Sequence, residues 1–128
     1  MTELKGASVV IADDEGHIRM LFRSIFTVMG ARVVGEAQNG EVAVALYREL
    51  RPDILLLDVN MPVKDGKDAL EEIMAGSPDA FVIMLTSVID RETVEQCLAL
   101  GAVSYILKDT PMAEIKQMIQ EAWQERGK

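Results

Sequence analysis

The sequence predicts an α/β fold in which a five-stranded parallel sheet is covered by helices on both faces. Short aliphatic runs alternate five times with longer amphipathic segments, and glycine or proline stands at most of the junctions. Repeated alternation of strand and helix predicts parallel strands joined by right-handed crossovers. The doubly wound strand order 2-1-3-4-5 satisfies these rules, and it predicts a site beyond the carboxyl ends of the strands.

Each predicted strand is an aliphatic run that is too short to be a buried helix. Apolar side chains dominate these runs, as expected for strands that are covered on both faces. In chain order the runs are Ser8–Ala12, Arg32–Ala37, Ile54–Leu57, Phe81–Leu85 and Ser104–Leu107.

The segments after these runs have apolar residues at spacings of three and four, which predicts amphipathic helices. We expect each apolar stripe to face the sheet. The stripes are Ile18, Leu21, Phe22, Ile25 and Met29 in the first helix; Val42, Ala45, Leu46 and Leu50 in the second; Ala69, Leu70, Ile73 and Met74 in the third; Val94, Cys97, Leu98 and Gly101 in the fourth; and Met112, Ile115, Ile119, Ala122 and Trp123 in the fifth.

Glycine and proline mark the helix ends. Gly30 and Gly101 follow the first and fourth helical patterns, where a residue without a β-carbon readily ends a helix. Pro52 follows the second pattern, and Gly76-Ser77-Pro78 closes the third. Thr110-Pro111 predicts the start of the fifth helix, with an N-cap followed by a proline at the first helical position.

The composition predicts a single cytoplasmic domain over residues 1–128. The length suits one domain, and 49% hydrophobic residues supply one core. A net charge of −8 argues against direct contact with nucleic acid, whose phosphates attract basic surfaces. The single cysteine excludes an internal disulfide and suits a reducing compartment. We see no secretory signal and no apolar stretch of membrane-spanning length, so we expect no membrane contact.

Five chemically active side chains follow the predicted strands. Asp13 and Asp14 follow the first strand, Asp58 the third, Thr86 the fourth and Lys108 the fifth. Because the carboxyl ends of parallel strands meet at one edge of the sheet, we expect these side chains to share one crevice. Three carboxylates so close together would repel one another, and a hard divalent cation such as Mg²⁺ relieves that repulsion.

The same residue types suit phosphoryl transfer. Asp58 follows three leucines of a buried strand and is the best candidate nucleophile, since a carboxylate can form an acyl phosphate. Lys108 supplies a positive charge and Thr86 a hydroxyl donor for the phosphoryl oxygens. Mg²⁺ would neutralise the charge of the phosphoryl group in transit.

The run Leu57-Asp58-Val59-Asn60-Met61-Pro62-Val63-Lys64-Asp65-Gly66 resembles the phosphoacceptor loop of bacterial response-regulator receivers. Asp13-Asp14-Glu15, Thr86, Tyr105 and Lys108 match the same family in order and spacing, so the resemblance covers essentially the whole chain. It implies a flavodoxin-like or CheY-like (βα)5 fold and a phosphoacceptor switch of a two-component phosphorelay. It also implies that the chain catalyses only its own phosphorylation and dephosphorylation.

The resemblance implies a role for each matching residue at the metal. Asp58 accepts phosphate from a histidine kinase or a phosphotransfer protein. Asp14, Asp58 and the backbone carbonyl of Asn60 bind Mg²⁺ directly, and Asp13 binds it through water. Lys108 contacts the phosphoryl group.

The resemblance also implies a switch and an output surface. Thr86 moves toward the phosphoryl group and Tyr105 turns inward with it, although Tyr105 is equally consistent with plain packing. The fourth helix, fifth strand and fifth helix contact a downstream protein, and the chain acts as a monomer or as a phosphorylation-dependent dimer. A phosphoryl group adds about −1.5 to −2 of charge, which favours the loop arrangement that pairs with it.

The chain departs from the family pattern at the residue that follows Lys108. Many receivers follow this lysine with a proline in a cis peptide, whereas Asp109 follows Lys108 here. The Lys-Asp form is typical of receivers joined to helix-turn-helix domains, so the receiver part of a larger DNA-binding regulator is one alternative. Val88 is apolar and offers nothing to position a hydrolytic water, a role that is open to Asn60.

Three other functions use similar residues. A haloacid-dehalogenase-like phosphatase also combines Asp, Thr or Ser, Lys and Mg²⁺, but it needs a second aspartate where this chain has Asn60. A flavodoxin-like FMN carrier would need hydroxyl and glycine donors in place of Asp13 and Asp14. A docking module that has lost phosphorylation would not need the intact set of acids, threonine and lysine.

Overall fold

The computed structural model describes residues 3–87 and 90–126 and confirms the predicted topology. Five parallel strands lie in the order β2-β1-β3-β4-β5, and helices connect them. Val88 lies outside the described residues. The elements are β1 Ser8–Ala12, α1 Gly16–Val28, β2 Arg32–Ala37, α2 Gly40–Leu50, β3 Ile54–Asp58, α3 Gly66–Gly76, β4 Val82–Thr86, α4 Arg91–Leu100, β5 Ser104–Leu107 and α5 Met112–Glu125.

The sheet separates two hydrophobic cores. Alternate residues of β1, β3 and β4 point to opposite faces, as the two-residue repeat of a strand requires. One face packs against α2, α3 and α4, and the other packs against α1 and α5. Every residue of β3 and β4 is buried, which explains why both runs lack an exposed polar face.

Most predicted helix ends are confirmed, and one is wrong. Gly30 and Gly101 have φ values of 91° and 118°, in the left-handed region that favours glycine. The fifth helix begins at Met112, and Pro111 is its N-cap residue with an extended ψ of 143° and no side-chain cap. Thr110 therefore does not cap this helix; its N–H donates to the carbonyl of Leu107 instead.

The predicted stripe of α2 is rotated from the face that is buried. Ala43, Val44 and Tyr47 face the core, whereas Val42 is 40% exposed and Leu50 is 38% exposed. Six apolar residues stand in succession from 42 to 47, so spacing alone does not select the buried face. Three other residues that we predicted to be buried are exposed. They are Ala45 in α2, Leu98 in α4 and Met112 in α5.

The stripes of α1 and α3 lie on the predicted faces. The buried residues of α1 are Phe22, Ile25 and Phe26, and Ala69 and Leu70 are among those of α3. Within the described ranges, no helix is both long and apolar enough to cross a membrane.

Candidate functional site

The structure brings the predicted side chains to the carboxyl edge of the sheet. Asp58 and Thr86 are the last residues of β3 and β4, so these strands extend to the site itself, one residue beyond the predicted ends. Asp58 pairs in register with Leu85 of the neighbouring strand. The N–H of Lys108, directly after β5, donates to the carbonyl of Thr86 at 2.8 Å. The site is therefore anchored in the most buried part of the sheet.

Three carboxylates form a compact acidic cluster. One carboxylate oxygen from each of Asp13, Asp14 and Asp58 lies within 4.8 Å of the others. Asp13 and Asp58 are 0% and 1% exposed, whereas Asp14 is exposed to solvent. The cluster thus has a buried floor of two acids and an open side at the third.

Lys108 places a single ammonium group among three acids. Its Nζ lies 3.0 Å from Oδ2 of Asp13, 3.3 Å from Oδ2 of Asp58 and 2.9 Å from Oε1 of Glu15. Burial alone would lower the pKa of Lys108, but hydrogen bonds and attraction from these carboxylates outweigh it and raise the pKa. Lys108 therefore remains charged, and the same contact holds the pKa of Glu15 below its usual value.

Lys108 reaches the cluster without a cis peptide. The peptide bond between Lys108 and Asp109 is trans, as is every other peptide bond in the described part of the chain. The aspartate that replaces the proline of many receivers is therefore compatible with an inward-pointing lysine.

Asp58 is held in an environment that opposes its charge. Burial and the negative charge of Asp13 raise the pKa of Asp58 to about 7, although Lys108 and the N–H of Asn60 lower it in part. That N–H lies 3.3 Å from Oδ1 of Asp58. In the absence of a further cation, burial beside Asp13 therefore favours the protonated form of this carboxylate to a higher pH than usual.

A network that the sequence did not reveal fixes the loop after β1. The guanidinium of Arg19 donates to the carbonyl oxygen of Asp13 at 2.7 Å, and its Nε donates to Glu36 at 3.2 Å. Glu36 also accepts from Arg23. The N–H of Glu15 donates to Oδ1 of Asp13 at 2.8 Å, which closes the turn. The pairing of α1 arginines with Glu36 is a detectable charge pattern, but the bond to a backbone carbonyl leaves no signal in sequence.

Two glycines allow the loop between β3 and α3 to pack closely against the end of β3 and the start of α2. The N–H of Gly66 donates to the carbonyl of Val59 at 2.7 Å, and a β-carbon on Gly66 would collide with the carbonyl of Asp58. The N–H of Gly40 donates to the carbonyl of Lys64 at 2.9 Å, and a β-carbon there would collide with that same oxygen. Only glycine permits these close backbone approaches.

Thr86 borders a small cavity at the start of α4. The cavity has a volume of about 260 Å³, and the described residues around it include Asn60, Thr86 and Val94. Tyr105 lies on β5 with its side chain 38% exposed, so it points outward in this structure. There is room beside Thr86 for a group to enter, and Tyr105 does not occupy it.

The acidic cluster fits a hard divalent cation. All its donors are oxygens, which Mg²⁺ and Ca²⁺ prefer. Oδ2 of Asp13 is buried and has no hydrogen-bond partner among the described residues, although it forms an ion pair with Lys108. Because Lys108 shares its single charge with Asp58 and Glu15, a further cation would supply positive charge that this buried oxygen and its neighbours lack.

The sequence model of the response regulator receiver domain matches residues 9–120 of this chain. The chain belongs to this family. The matched range contains the acidic pair after β1, the aspartate that ends β3, the threonine that ends β4 and the lysine after β5. The predicted family is therefore confirmed.

Known proteins agree with this assignment. The receiver is 40% identical over 103 residues to the chemotaxis protein CheY of Thermotoga maritima, a match that covers 80% of this chain and 86% of that protein. It is also 40% identical over 108 residues to the transcriptional regulatory protein YhcZ of Bacillus subtilis, covering 84% of this chain and 50% of YhcZ. Its fold matches the CheX–CheY–BeF3–Mg complex from Borrelia burgdorferi with a TM-score of 0.89 and 31% identity, over 93% of this chain and 90% of that chain.

The receiver therefore has the phosphoacceptor role of CheY-like response regulators in two-component signalling. The comparisons do not favour the phosphatase. Asn60, in place of a second aspartate, agrees with that outcome for the phosphatase.

Proposed function

We propose that Asp58 accepts the phosphoryl group, and that the donor is a histidine kinase or a phosphotransfer protein. The observation that carries this proposal is the position of Asp58. Its carboxylate is 1% exposed, lies within 4.8 Å of two other carboxylates and is 3.3 Å from the ammonium of Lys108. Asp13 shares the acidic cluster and the lysine contact, but Asp58 is the one of these two aspartates that is itself the last residue of a strand.

The proposed transfer exchanges one bond for another. An oxygen of the Asp58 carboxylate attacks the phosphorus of a phosphohistidine, a P–O bond forms, and the P–N bond breaks. The electron pair leaves with the imidazole nitrogen, which takes up a proton. Lys108 then exchanges its contact with Asp58 for the phosphoryl oxygens, and the hydroxyl of Thr86 donates to the same group.

The resident cation of this site is proposed to be Mg²⁺. Asp14, Asp58 and the backbone carbonyl of Asn60 would bind it directly, and Asp13 would bind it through water. When bound, it supplies positive charge that stabilises the transferring phosphoryl group. The protein holds the remaining groups in place, because Asp13 is fixed by Arg19 and Asp58 by its strand.

The proposed output follows from a change in charge. Contact of Thr86 with the phosphoryl group draws its strand end toward Asp58, and Tyr105 turns inward into the cavity beside Thr86. The surface formed by α4, β5 and α5 then changes for a downstream protein. That surface carries several exposed apolar side chains: Leu98, Val103, Tyr105 and Met112.

The proposal extends to the domain organisation, oligomeric state and location of the protein. We propose that residues 1–128 act as one receiver domain that catalyses only its own phosphorylation and dephosphorylation, as a monomer or a phosphorylation-dependent dimer, without direct contact with nucleic acid. A cytoplasmic location stays a prediction, based on the single cysteine.

Incubation with acetyl phosphate and Mg²⁺, followed by intact mass measurement, tests the assignment of Asp58. We expect one added phosphoryl group in the unmodified receiver, none in Asp58→Asn, and none when a chelator replaces Mg²⁺. Asp79→Asn is the matched control, because Asp79 is an exposed acid at the opposite edge of the sheet and should leave the added mass unchanged. Persistence of the added mass in Asp58→Asn would show that another residue is the acceptor.

A further inference from the structure

Glu15 stands at the start of α1 but does not cap it. It is the N-cap residue of this helix, with an extended backbone, and its side chain makes no bond to the N–H groups of the first turn. The side chains of Asn39, Asp65 and Asp90 form that bond at α2, α3 and α4. Helix α1 therefore begins without the side-chain cap that stabilises these three helices.

The side chain of Glu15 is engaged elsewhere. Its Oε1 accepts a hydrogen bond at 2.9 Å from the ammonium of Lys108, 93 positions further along the chain. The N–H of Glu15 donates to Oδ1 of Asp13 at 2.8 Å, which fixes the backbone from which the side chain extends. Glu15 thus connects the start of α1 to the residue that follows β5.

Glu15 differs from the two other acids that contact Lys108. The side chains of Asp13 and Asp58 are 0% and 1% exposed and belong to the acidic cluster, whereas the side chain of Glu15 is 45% exposed and is not a member of it. The ammonium therefore has one partner that is open to solvent and two buried partners that are also proposed to hold the cation. Because Lys108 and the cation are both positively charged, they would compete for those two carboxylates.

We propose that Glu15 is a positioning residue that draws the ammonium of Lys108 away from the two buried aspartates and so lowers its competition with the cation. This inference rests on the proposed Mg²⁺-dependent phosphorylation of Asp58. The side chain of Lys108 is only 11% exposed, and without another partner it would lose the attraction that offsets its burial when it gives up both aspartates. Glu15 supplies a partner that is not among the proposed ligands of the cation.

Glu15→Asp separates the contact with Lys108 from the negative charge. The variant keeps the charge, but its side chain is one methylene shorter and would not reach the ammonium that Glu15 contacts at 2.9 Å. Aspartate is also a favoured N-cap residue, so it can form the cap that Glu15 leaves unmade. We expect the Kd for Mg²⁺, measured by isothermal titration calorimetry, to rise about fivefold. The midpoint of thermal unfolding in a chelator should stay equal or rise, and a fall in it together with Mg²⁺ affinity would indicate a merely structural role and overturn the proposal.

Glu15→Gln, alone and combined with Lys108→Met, tests whether the effect passes through the lysine. In the otherwise unmodified receiver we expect Glu15→Gln to raise the Kd for Mg²⁺ about fivefold. When Lys108 is replaced there is no ammonium to hold aside, so the same change at position 15 should alter the Kd by less than about twofold.

The Mg²⁺ dependence of phosphorylation gives a second measurement. At a Mg²⁺ concentration below the Kd, acetyl phosphate should label Glu15→Asp about fivefold more slowly than the unmodified receiver. At saturating Mg²⁺ the two rates should become equal, because excess cation overcomes competition from Lys108. A loss of rate that persists at saturating Mg²⁺ would contradict competition as the cause.

Glu41→Gln is the matched control. Glu41 is an exposed acid in the first turn of α2, at the same edge of the sheet as Glu15. Among the described residues, the acids that pair with Lys108 do not include it. Its substitution removes the same charge, and both the Kd for Mg²⁺ and the rate of labelling should equal those of the unmodified receiver.

Four results of the calorimetry would overturn the inference. They are an unchanged Kd in Glu15→Asp, an equal effect of Glu15→Gln with and without Lys108, the same loss of affinity in Glu41→Gln, and the absence of Mg²⁺ binding to the unmodified receiver. Failure of acetyl phosphate to label the unmodified receiver would instead remove the Asp58 assignment. The calorimetry needs no phosphorylation, so it would still decide whether Glu15 acts through Lys108.

Discussion

Asp58 faces two opposing requirements at the scale of a single residue. As the proposed phosphoacceptor, it would have to be shielded from water so that an acyl phosphate survives, yet be ionised to act as a nucleophile. Shielding and the charge of Asp13 raise its pKa to about 7, and Lys108 offsets only part of that rise. One ammonium among three carboxylates leaves the site with excess negative charge, which is the physical reason to propose a cation here.

The raised pKa predicts that Asp58→Asn stabilises the metal-free receiver at neutral pH. The pKa is about 7 in the folded protein, against an ordinary value of 3.8, so the folded state binds this proton more tightly than the unfolded chain does. Stability from this group is therefore complete below about pH 4 and is lost as the pH rises through 7. At pH 7.5 we expect the variant to gain on the order of 2 kcal/mol in free energy of unfolding.

Urea unfolding in the presence of a chelator measures this gain at pH 7.5 and pH 5.0. The gain should shrink at the lower pH, because Asp58 is then largely protonated in the folded receiver. Asp79→Asn, which alters an exposed acid, should show no comparable gain at either pH. A variant that is less stable than the unmodified receiver at pH 7.5 would contradict the expected charge strain.

At the scale of elements, the loop between β3 and α3 depends on close backbone contacts. Gly66 lies against the carbonyl of Asp58, and its N–H closes the loop through Val59. A side chain at this position would push α3 away from the strand that carries Asp58. A shift of the start of α3 would therefore also displace the backbone of Asp58.

Gly66→Ala is expected to lower both stability and phosphorylation. Backbone atoms cannot yield as a flexible side chain can, so we expect a loss of about 2–4 kcal/mol in free energy of unfolding. The rate of phosphorylation by acetyl phosphate should fall with it. Gly76→Ala is the control on the same helix, since no atom lies within 4 Å of a β-carbon there. Equal stability of the two variants in chemical denaturation would show that the loop accommodates the extra methyl group.

The sequence predicted elements well where composition and spacing agree, and poorly where they do not. In α1, apolar and polar residues alternate clearly, and the predicted face is the buried one. In α2, the unbroken apolar stretch from 42 to 47 allows several faces, and packing against the sheet selects Ala43, Val44 and Tyr47. At α5, Thr110-Pro111 satisfies a capping pattern, but the extended ψ of Pro111 starts the helix one residue later.

At the scale of the whole molecule, cation binding and folding are linked. The proposed ligands lie directly after β1 and at the end of β3, and their relative position exists only in the folded receiver. A ligand that binds only the folded state stabilises it by an amount set by its concentration and affinity.

Mg²⁺ is therefore expected to raise the free energy of unfolding, by about 1.4 kcal/mol at ten times its Kd. Asp14→Asn should remove most of this increment, because Asp14 is the exposed ligand and contributes little else to the fold. Asp79→Asn should retain it. Urea unfolding with and without Mg²⁺ measures the increment, and an equal increment in Asp14→Asn would exclude that residue as a ligand.

The sequence predicted the position of the site because the strand order determines which residues lie at the carboxyl edge of the sheet. Once the strand order is 2-1-3-4-5, residues as distant as Asp13 and Lys108 must meet at one edge of the sheet. The sequence did not predict contacts that depend on the orientation of main-chain groups. The bond from Arg19 to the carbonyl of Asp13 involves main-chain atoms, which every residue shares and which leave no mark in the sequence.

The Arg19 bond has a consequence for how quickly the switch can reset. Because α1 and β2 hold the turn after β1 through its own main chain, an arriving ion meets ligands that are already assembled and surrenders little chain entropy. Loading of the proposed Mg²⁺ site would then require little rearrangement of the turn after β1. Such a turn would not have to refold between one proposed phosphorylation and the next.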